Sequence, residues 1–586
     1  MSRSQVHAPP ANAEAGWRGS WWALAAAGLA GCLYLPTLRF GFVWDDPTVI
    51  EQLRSFRSPG DLWFIPDAVP RFYYRPFVFA SFLIDRAFSG ELPFWFHATN
   101  ILLHAGNTLL VALVLRRVVG IPTEVAAAAA FLFAVHPVHV EAVAWVAGRS
   151  DLLATLFVLL AVLMHARGAA TIWRTSAVCA SLFAALLSKE SAIAAAVLLP
   201  SVDLLQRRPR KPSFYLGIGA VFLLYFGLRS FNLGTPLGGW LREQAVFGLV
   251  ADTLAAFGVY LAHAFFPGLV TPYAPEVPSS LAYGLLGTSG LVTLAVVFAR
   301  APRSAPAFLG LWFLVTLAPA LTVVWRTSAT TLVADRYLYL PSVASTALLA
   351  WGASVFLHRD RKWVYAGLIA LVCTLSAWRA LSYAQVWRDN TTFWQAAALV
   401  APHDPAAQRE VGLAWLERGK LAEAEPYLQR ALELSRLPEE QAMARSNLAS
   451  LHRRRGDFDR AFAELEQAIT IAPHPALFHN LGLTAMMAAE AAQQAGQGAA
   501  VVRYVLQAKQ AFERALTYER DPRASRYREL WNPAKTHALL GQVLFSLNDR
   551  AGAQRHLETA LALEPEGPTA ATVRAYLQRV LNAATP

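Results

Sequence analysis

WVYAGLIALVCTLSAWRALSYAQVWRDNTTFWQAAALVAP, residues 363–402, joins two kinds of chain in one stretch. As far as about Tyr383 it is an apolar run of the length that crosses a bilayer, about 20 residues. Past Trp387 the character changes, and Trp394 to Pro402 reads as a lone helix closed by a proline. Upstream of this stretch long apolar runs recur. Downstream the chain is rich in Ala, Glu, Arg and Leu with helical periodicity. The domain junction therefore falls at about residue 385.

The whole chain is consistent with that division. Of 586 residues 55% are apolar and 16% charged, with mean hydropathy +0.35. Soluble domains carry about 25% charge and 45–50% apolar residues, so an ordinary soluble enzyme is excluded. Disorder is excluded too, since it needs low hydrophobicity. The net charge is +11. Residues 1–383 hold 28 Lys+Arg against 18 Asp+Glu, and residues 384–586 hold 23 against 22. The basic excess thus lies among the apolar runs, as in loops held at a cytoplasmic leaflet, and it argues against a nucleic-acid partner. Cys32, Cys179 and Cys373 each sit in an apolar run, which speaks against a disulfide framework or a Cys-based zinc site.

Twelve apolar segments between residues 20 and 382 qualify as candidate spans, among them 20–37, 124–143, 171–188, 190–206, 251–268 and 338–357. Basic clusters at Arg116–Arg117, Arg167 with Arg174, Arg207–Lys211, Arg300 with Arg303 and Arg359–Lys362 belong on the cytoplasmic side. Consecutive cytoplasmic clusters must be joined by an even number of spans. The interval 212–299 holds three, so one of them is expected to be re-entrant or interfacial. Segment 251–268, flanked by Pro267 and Pro272, is the choice. The count becomes about 11, residues 1–19 form a cytoplasmic tail, and the C-terminal half lies outside the cytoplasm. If all twelve spanned, that half would be cytoplasmic. Leu29-Ala30-Gly31-Cys32 has the form of a lipoprotein cleavage box, but apolar residues continue to Phe42, so an uncleaved first span is expected.

The C-terminal half, 385–586, repeats. Ala449 to Pro473 and Gly541 to Pro565 share one spacing, with small residues where two helices pack and Pro where the second ends, as in tetratricopeptide repeats. Gly412, Trp415, Gly419, Ala424, Leu428 and Ala431 supply a third copy. Leu481-Gly482 starts a fourth, which resumes at Ala511, Phe512 and Ala515 after an insertion around 490–505. Such an array offers a concave surface to a peptide segment.

Several polar residues exceed what anchoring needs. The outer loop 37–96 carries Trp44-Asp45-Asp46. Adjacent carboxylates repel, so the pair calls for a cation, a metal or a proton donor, and a solvated turn before Pro47 is the plainer alternative. On the outer face the pair could take a proton from an attacking hydroxyl or hold a divalent metal. Arg75 could clamp a phosphate or pair with one of the seven acids of its loop. His97, Asn100, His104 and Asn107 fall on one helix face and serve either a site or helix packing. His136, His139 and Glu141, then Arg149 and Asp151, cluster at one membrane edge. Metal is only one option for the first three, because their spacing is not that of the helical zinc-protease motif. Lys189-Glu190 and Asp335-Arg336-Tyr337 also lie on the outer side. An outer-interface site with acids for a polar acceptor and bases for an anion follows, and a lipid-linked phosphate would suit it.

The ordered set of motifs is more specific than its members. Phe42-Val43-Trp44-Asp45-Asp46, Tyr74-Arg75-Pro76, the run from His136 to Trp145, Gly148-Arg149-Ser150-Asp151, Ser188-Lys189-Glu190 and Arg336-Tyr337-Leu338-Tyr339-Leu340-Pro341-Ser342, followed by tetratricopeptide repeats, resemble the transmembrane and tetratricopeptide-repeat-containing (TMTC) O-mannosyltransferases. The resemblance covers nearly the whole chain. It implies an all-α, GT-C-type membrane enzyme over 20–384 and an extracytoplasmic α-solenoid over 385–586. It further implies a polyprenyl-phosphate sugar donor, mannose by analogy, and a Ser/Thr hydroxyl acceptor on a protein. Asp45 or Asp46 would be the catalytic carboxylate. Arg75, Arg149, Lys189 and Arg336 would face the donor phosphate, and His136, His139, Glu141, Asp151, Glu190 and Tyr337 would complete the substrate site. Asp335 stands where that family has Glu. The Arg- and Ala-rich composition looks bacterial, which would place the chain in an inner membrane with its repeats in the periplasm. The motifs single out no cofactor, and a divalent metal is left open. A non-catalytic membrane-anchored scaffold and a transporter of lipid-linked glycans are the rival readings. A scaffold has no need of charges at the outer face, and a transporter would set them near the bilayer midplane.

Overall fold

The computed structural model describes residues 21–66, 69, 73–167, 171–208, 212–234, 246–278, 280–326, 331–357, 361–518, 531–565 and 569–582. The expected cytoplasmic tail 1–19 lies outside them. No β-strand occurs among the described residues, and the chain falls into two compact units whose main boundary lies between Asp389 and Asn390.

The first unit is a bundle of apolar helices. It opens with α1 (Trp21–Leu33), the short α2 (Asp46–Gln52), α3 (Pro76–Ser89) and α4 (Pro93–Val114). The stretch expected as outer loop is thus partly helical, with Pro76 and Pro93 each starting a helix where a missing N–H costs nothing. Next come α5 (Thr123–Val135), α6 (Val140–Ala144), α7 (Arg149–Ala166), α8 (Ile172–Leu186) and α9 (Ala195–Gln206). The expected span 124–143 is not one helix. His136 precedes Pro137, whose ring disfavours helical backbone at 136, and α5 is bent by 48° from the helical segment that follows. The unit ends with α10 (Pro212–Leu233), α11 (Val246–Phe265), α12 (Leu281–Arg300), α13 (Ala305–Leu321), α14 (Ser342–Phe356) and α15 (Lys362–Ala384).

Among the described residues eight helices are long and apolar enough to cross a membrane, or nine if the bent pair counts as one span. The expected spans at 171–188, 190–206 and 338–357 shrink to 15, 12 and 15 residues of α-helix. The cause is local. Turns carrying Lys189-Glu190 and Asp335-Arg336 end in buried polar groups, and backbone given to those turns is taken from the adjoining helices.

The expected re-entrant segment 251–268 is unbroken helix as far as Phe265, within α11, which is itself long and apolar enough to span. Its direction is informative. Asn232, in the last turn of α10, accepts from Ile65 N at 2.9 Å and donates to Trp63 O at 3.0 Å. His263, near the end of α11, pairs with Asp335 at 2.6 Å. The C-termini of both helices therefore meet loops of the same face.

The second unit is helical hairpins. After α16 (Asn390–Val400) come the pairs α17 (Pro405–Glu417) with α18 (Leu421–Leu434), α19 (Pro438–Arg455) with α20 (Phe458–Ile471), α21 (Pro475–Gln494) with α22 (Gly498–Thr517) and α23 (Pro533–Ser546) with α24 (Arg550–Leu563), then a last helix, α25 (Ala570–Asn582). The repeat glycines are there for contact. A Cβ on Gly541 would lie 2.7 Å from Leu557 Cγ across the hairpin. The insertion expected around 490–505 is not a loop: α21 and α22 are both extended to 20 residues and meet at a tight turn around Gly496.

Candidate active site

The two adjacent carboxylates do different work. Asp46 opens α2 and is buried. Its Oδ2 accepts from Val43 N at 3.0 Å and its Oδ1 from Ala147 N at 2.9 Å, so it ties the first outer loop to the turn before α7. Burial, then the charge of Asp45, pushes its pKa well above the carboxylate range. Asp45 is exposed at the surface, yet enough protein surrounds it that desolvation raises its pKa to about 6 against the pull of Arg336 and Arg75. Trp44 before it holds a left-handed backbone, φ 61°, which is costly for a bulky residue and is characteristic of functional turns.

Three cations stand around this turn, each with its own acid. The Arg336 guanidinium pairs with the buried Glu141, and the Arg336 backbone N donates to the other Glu141 oxygen at 2.9 Å. Lys189 Nζ meets Asp151 at 2.5 Å, and Arg75 donates to Glu190 at 2.9 Å. Aromatic rings join the first two pairs into one wall, and Arg75 packs over the Tyr73 ring at 4.1 Å. Arg336 lies 4.8 Å from the Tyr337 ring centroid and 5.1 Å from that of Trp145, Lys189 lies 5.0 Å from Tyr337, and Trp145 stacks on Trp44 at 5.3 Å. Each cation–ring contact adds about 0.5–2 kcal/mol and holds the charged head in place. Burial pushes Glu190 up, but Arg75 more than answers it and holds the carboxyl at about 2. Burial lowers the pKa of Lys189, with Asp151 offsetting part of the effect.

The structure thus brings together Asp45, Asp46, Arg75, Glu141, Asp151, Lys189, Glu190, Arg336 and Tyr337. It does not bring Arg149, His136 or His139 to them. Arg149, expected at a phosphate, is fully buried. It meets Asp85 at 2.5 Å, Asn100 Oδ1 at 2.8 Å and Phe96 O at 2.7 Å, so its donors are committed to holding α3, α4 and α7 together. His139 bonds Ser342 Oγ at 2.8 Å beside Phe133 and Tyr339. His136 accepts from Val138 N at 3.4 Å and shapes the helix break. The polar stripe on α4 is packing: Asn100 donates to Trp145 O at 3.1 Å, Asn107 to Leu152 O at 2.9 Å, and His104 bonds the Tyr339 hydroxyl at 2.8 Å. A divalent ion needs several oxygen ligands. Both Asp46 oxygens are taken by backbone N–H groups, and no group of three or more metal-ligating side chains occurs among the described residues, so this donor set does not fit a metal.

Sequence reasoning missed Trp44 and Trp145 as wall residues, and it missed the support behind Arg336. Asp335 there bonds His263 at 2.6 Å, Thr271 N at 3.0 Å and the Tyr383 hydroxyl at 3.3 Å. An aromatic residue beside each acidic or basic motif was the available signal. The wall also depends on a close approach at Gly148, where a Cβ would lie 2.7 Å from Ala142 O and 2.9 Å from Glu141 O. Gly148→Ala is expected to push the Glu141 turn away and cost about 1–3 kcal/mol, read as a lowered unfolding temperature in detergent. An unchanged melt would show that the turn can yield.

Residue 388, at the end of this unit, returns to the same face. Gly41 N donates to Arg388 O at 2.9 Å and Trp387 packs on Trp145. The fold and site together define a multi-pass membrane protein with a polar centre at one face, followed by tetratricopeptide repeats. A family model for the tetratricopeptide repeat matches residues 405–474. The chain is 37% identical over 224 residues to protein O-mannosyl-transferase Tmtc1 of Drosophila melanogaster, covering 35% of this chain and 26% of that one. It is 40% identical to TMTC1 of Mus musculus over 24% of this chain and 17% of the relative. It is 26% identical to TMTC4 of Homo sapiens over 70% of this chain and 65% of that protein. These alignments bear out the resemblance read from the motifs. The chain spans about a quarter of the length of the fruit-fly relative and just under two thirds of human TMTC4.

Proposed function

We propose that this protein is a membrane-embedded O-glycosyltransferase that moves a sugar, mannose by analogy with its relatives, from a polyprenyl-phosphate carrier to a Ser/Thr hydroxyl of a protein. The observation that carries the reading is the exposed Asp45 carboxylate set against a wall of fixed cations and aromatic rings. In the reaction, Asp45 takes the proton of the acceptor hydroxyl as its oxygen forms a bond to the sugar's anomeric carbon. The bond from that carbon to the carrier phosphate breaks, its electron pair leaves with the phosphate, and the configuration inverts. Arg336, Lys189 and Arg75 offset the charge that develops on the leaving group. Their carboxylate partners hold them in place beforehand, so little reorganisation accompanies the step. Asp46 fixes the turn that presents Asp45.

The proposed setting is a bacterial inner membrane with the site and the repeats on its periplasmic side. The shared face of Asp45 and Arg388 supports that orientation, and the repeats would then hold the acceptor chain. The test is transfer of label from a panel of radiolabelled polyprenyl-phosphate sugars to protein by the purified chain. Label moving to lipid or glycan would remove the protein acceptor. Label moving nowhere, with the repeats still capturing a partner, would favour the scaffold.

The pH profile is a separate prediction. A base must be deprotonated to act, and Asp45 has its pKa raised to about 6. Transfer should therefore be level at neutral pH and fall about tenfold per unit below about pH 6. A profile that stays flat to pH 4.5 would remove Asp45 as the base.

A further inference from the structure

The first unit carries a recess apart from the site. It is lined by Cys32, Leu35, Pro36, Arg39, Phe40, Gln385 and Arg388, and its volume is about 600 Å³. None of the residues around Asp45 lines it. Its place in the fold is specific. Arg39 ends the candidate span Trp21–Arg39, and Arg388 directly follows the candidate span Lys362–Trp387, so both arginines stand where hydrocarbon gives way to headgroups. The bond from Gly41 N to Arg388 O holds the two span ends together.

We infer that this recess binds an anionic phospholipid of the leaflet on the site's face. The walls are graded as such a lipid is. At the top are two exposed guanidiniums. That of Arg388 meets its neighbour Asp389 at 3.4 Å and in solvent, a contact that holds little of its charge. Guanidinium offers a fork that matches phosphate oxygens. Before Arg39 in the span, and so below it, lie Leu35 and Pro36, with Leu35 exposed. Cys32 lies in the last turn of α1, seven positions before Arg39, and the intervening Leu35–Arg39 is a 3-10 turn, so at rises of about 1.5–2 Å per residue Cys32 sits roughly 10–14 Å deeper in the span, level with the upper acyl chain. A headgroup at the arginines would thus lay its chain across the Cys32 thiol. A protein segment would not be drawn to a slot whose lower wall faces hydrocarbon.

The exposed Cys32 gives a readout that does not involve transfer. In a Cys179→Ala/Cys373→Ala background, the full chain is placed in nanodiscs of phosphatidylcholine alone or with a third of phosphatidylglycerol. Maleimide labelling of Cys32 is then followed. The anionic discs should slow labelling several-fold. Native mass spectrometry of the detergent-purified protein should find one phosphatidylglycerol bound. Arg39→Gln/Arg388→Gln should weaken that binding roughly twenty-fivefold, from a share of about fivefold per arginine near a charged surface. Arg39→Gln alone, at an exposed position, should show about half the effect on a logarithmic scale and covers the case in which the double variant folds poorly. Equal labelling in the two kinds of disc would overturn the inference. So would displacement of phosphatidylglycerol by an equal amount of polyprenyl phosphate, which would assign the recess to the donor. Loss of transfer activity alone bears on the proposed enzyme and leaves this result untouched.

Discussion

Asp45→Asn lowers transfer by about 10²–10⁴-fold, the range that a positioned general base supplies, while the chain unfolds at its original temperature. The Asp45 carboxylate is exposed, and an amide of the same shape fits where it stood. Removing its charge also removes its repulsion of Asp46, so stability should hold or rise slightly. Asp46→Asn behaves differently. Both Asp46 oxygens accept from backbone N–H groups, and an amide must point a donor at either Val43 N or Ala147 N. That leaves a buried donor facing a donor, at about 1–3 kcal/mol. The two variants therefore separate on two axes: one inactive and stable, the other destabilised with its activity falling as the turn loosens. Parallel measurement of transfer and thermal unfolding checks this. An active Asp45→Asn beside an inactive but stable Asp46→Asn would exchange the roles and refute the assignment.

This division of labour was not legible in the sequence, and the reason is physical. Asp45 and Asp46 are neighbours of one type, and what distinguishes them is Ala147 N, about a hundred positions away. Arg149 and Arg336 pose the same problem. Both stand at the outer edge of an apolar run, but Asp85 and Asn100 close around Arg149, whereas Glu141 holds Arg336 from behind and leaves it part-exposed. Long-range partners decide which charge works and which supports. The repeats were legible because their information is local: small residues recur at fixed spacing, and the close contact of Gly541 with Leu557 lies within one hairpin. The spans were legible as apolar runs but not in length, because the polar turns at Lys189 and Asp335 cut helices short by an amount that hydropathy does not record.

The pair Arg336–Glu141 allows charge to be tested apart from stability. Arg336→Ala leaves Glu141, buried beside Asp335, without the guanidinium that answers it. Breaking a buried pair from one side costs about 3–5 kcal/mol, so this variant should unfold far earlier and transfer nothing. Such a result alone would not distinguish a site residue from a strut. Arg336→Met/Glu141→Leu removes both charges and keeps the volume, and replacing a buried pair with apolar groups is often neutral for stability. The double variant should therefore regain most of the melting temperature. It should not regain transfer, because no cation remains there to face the leaving phosphate. Arg336→Lys lies between the two: the charge is kept, but the planar fork that meets Glu141, Trp145 and Tyr337 at once is lost, and about 10²-fold in turnover should go with it. If the double variant recovered transfer together with stability, Arg336 would be a strut. The charge facing the phosphate would then have to come from Lys189 and Arg75 alone.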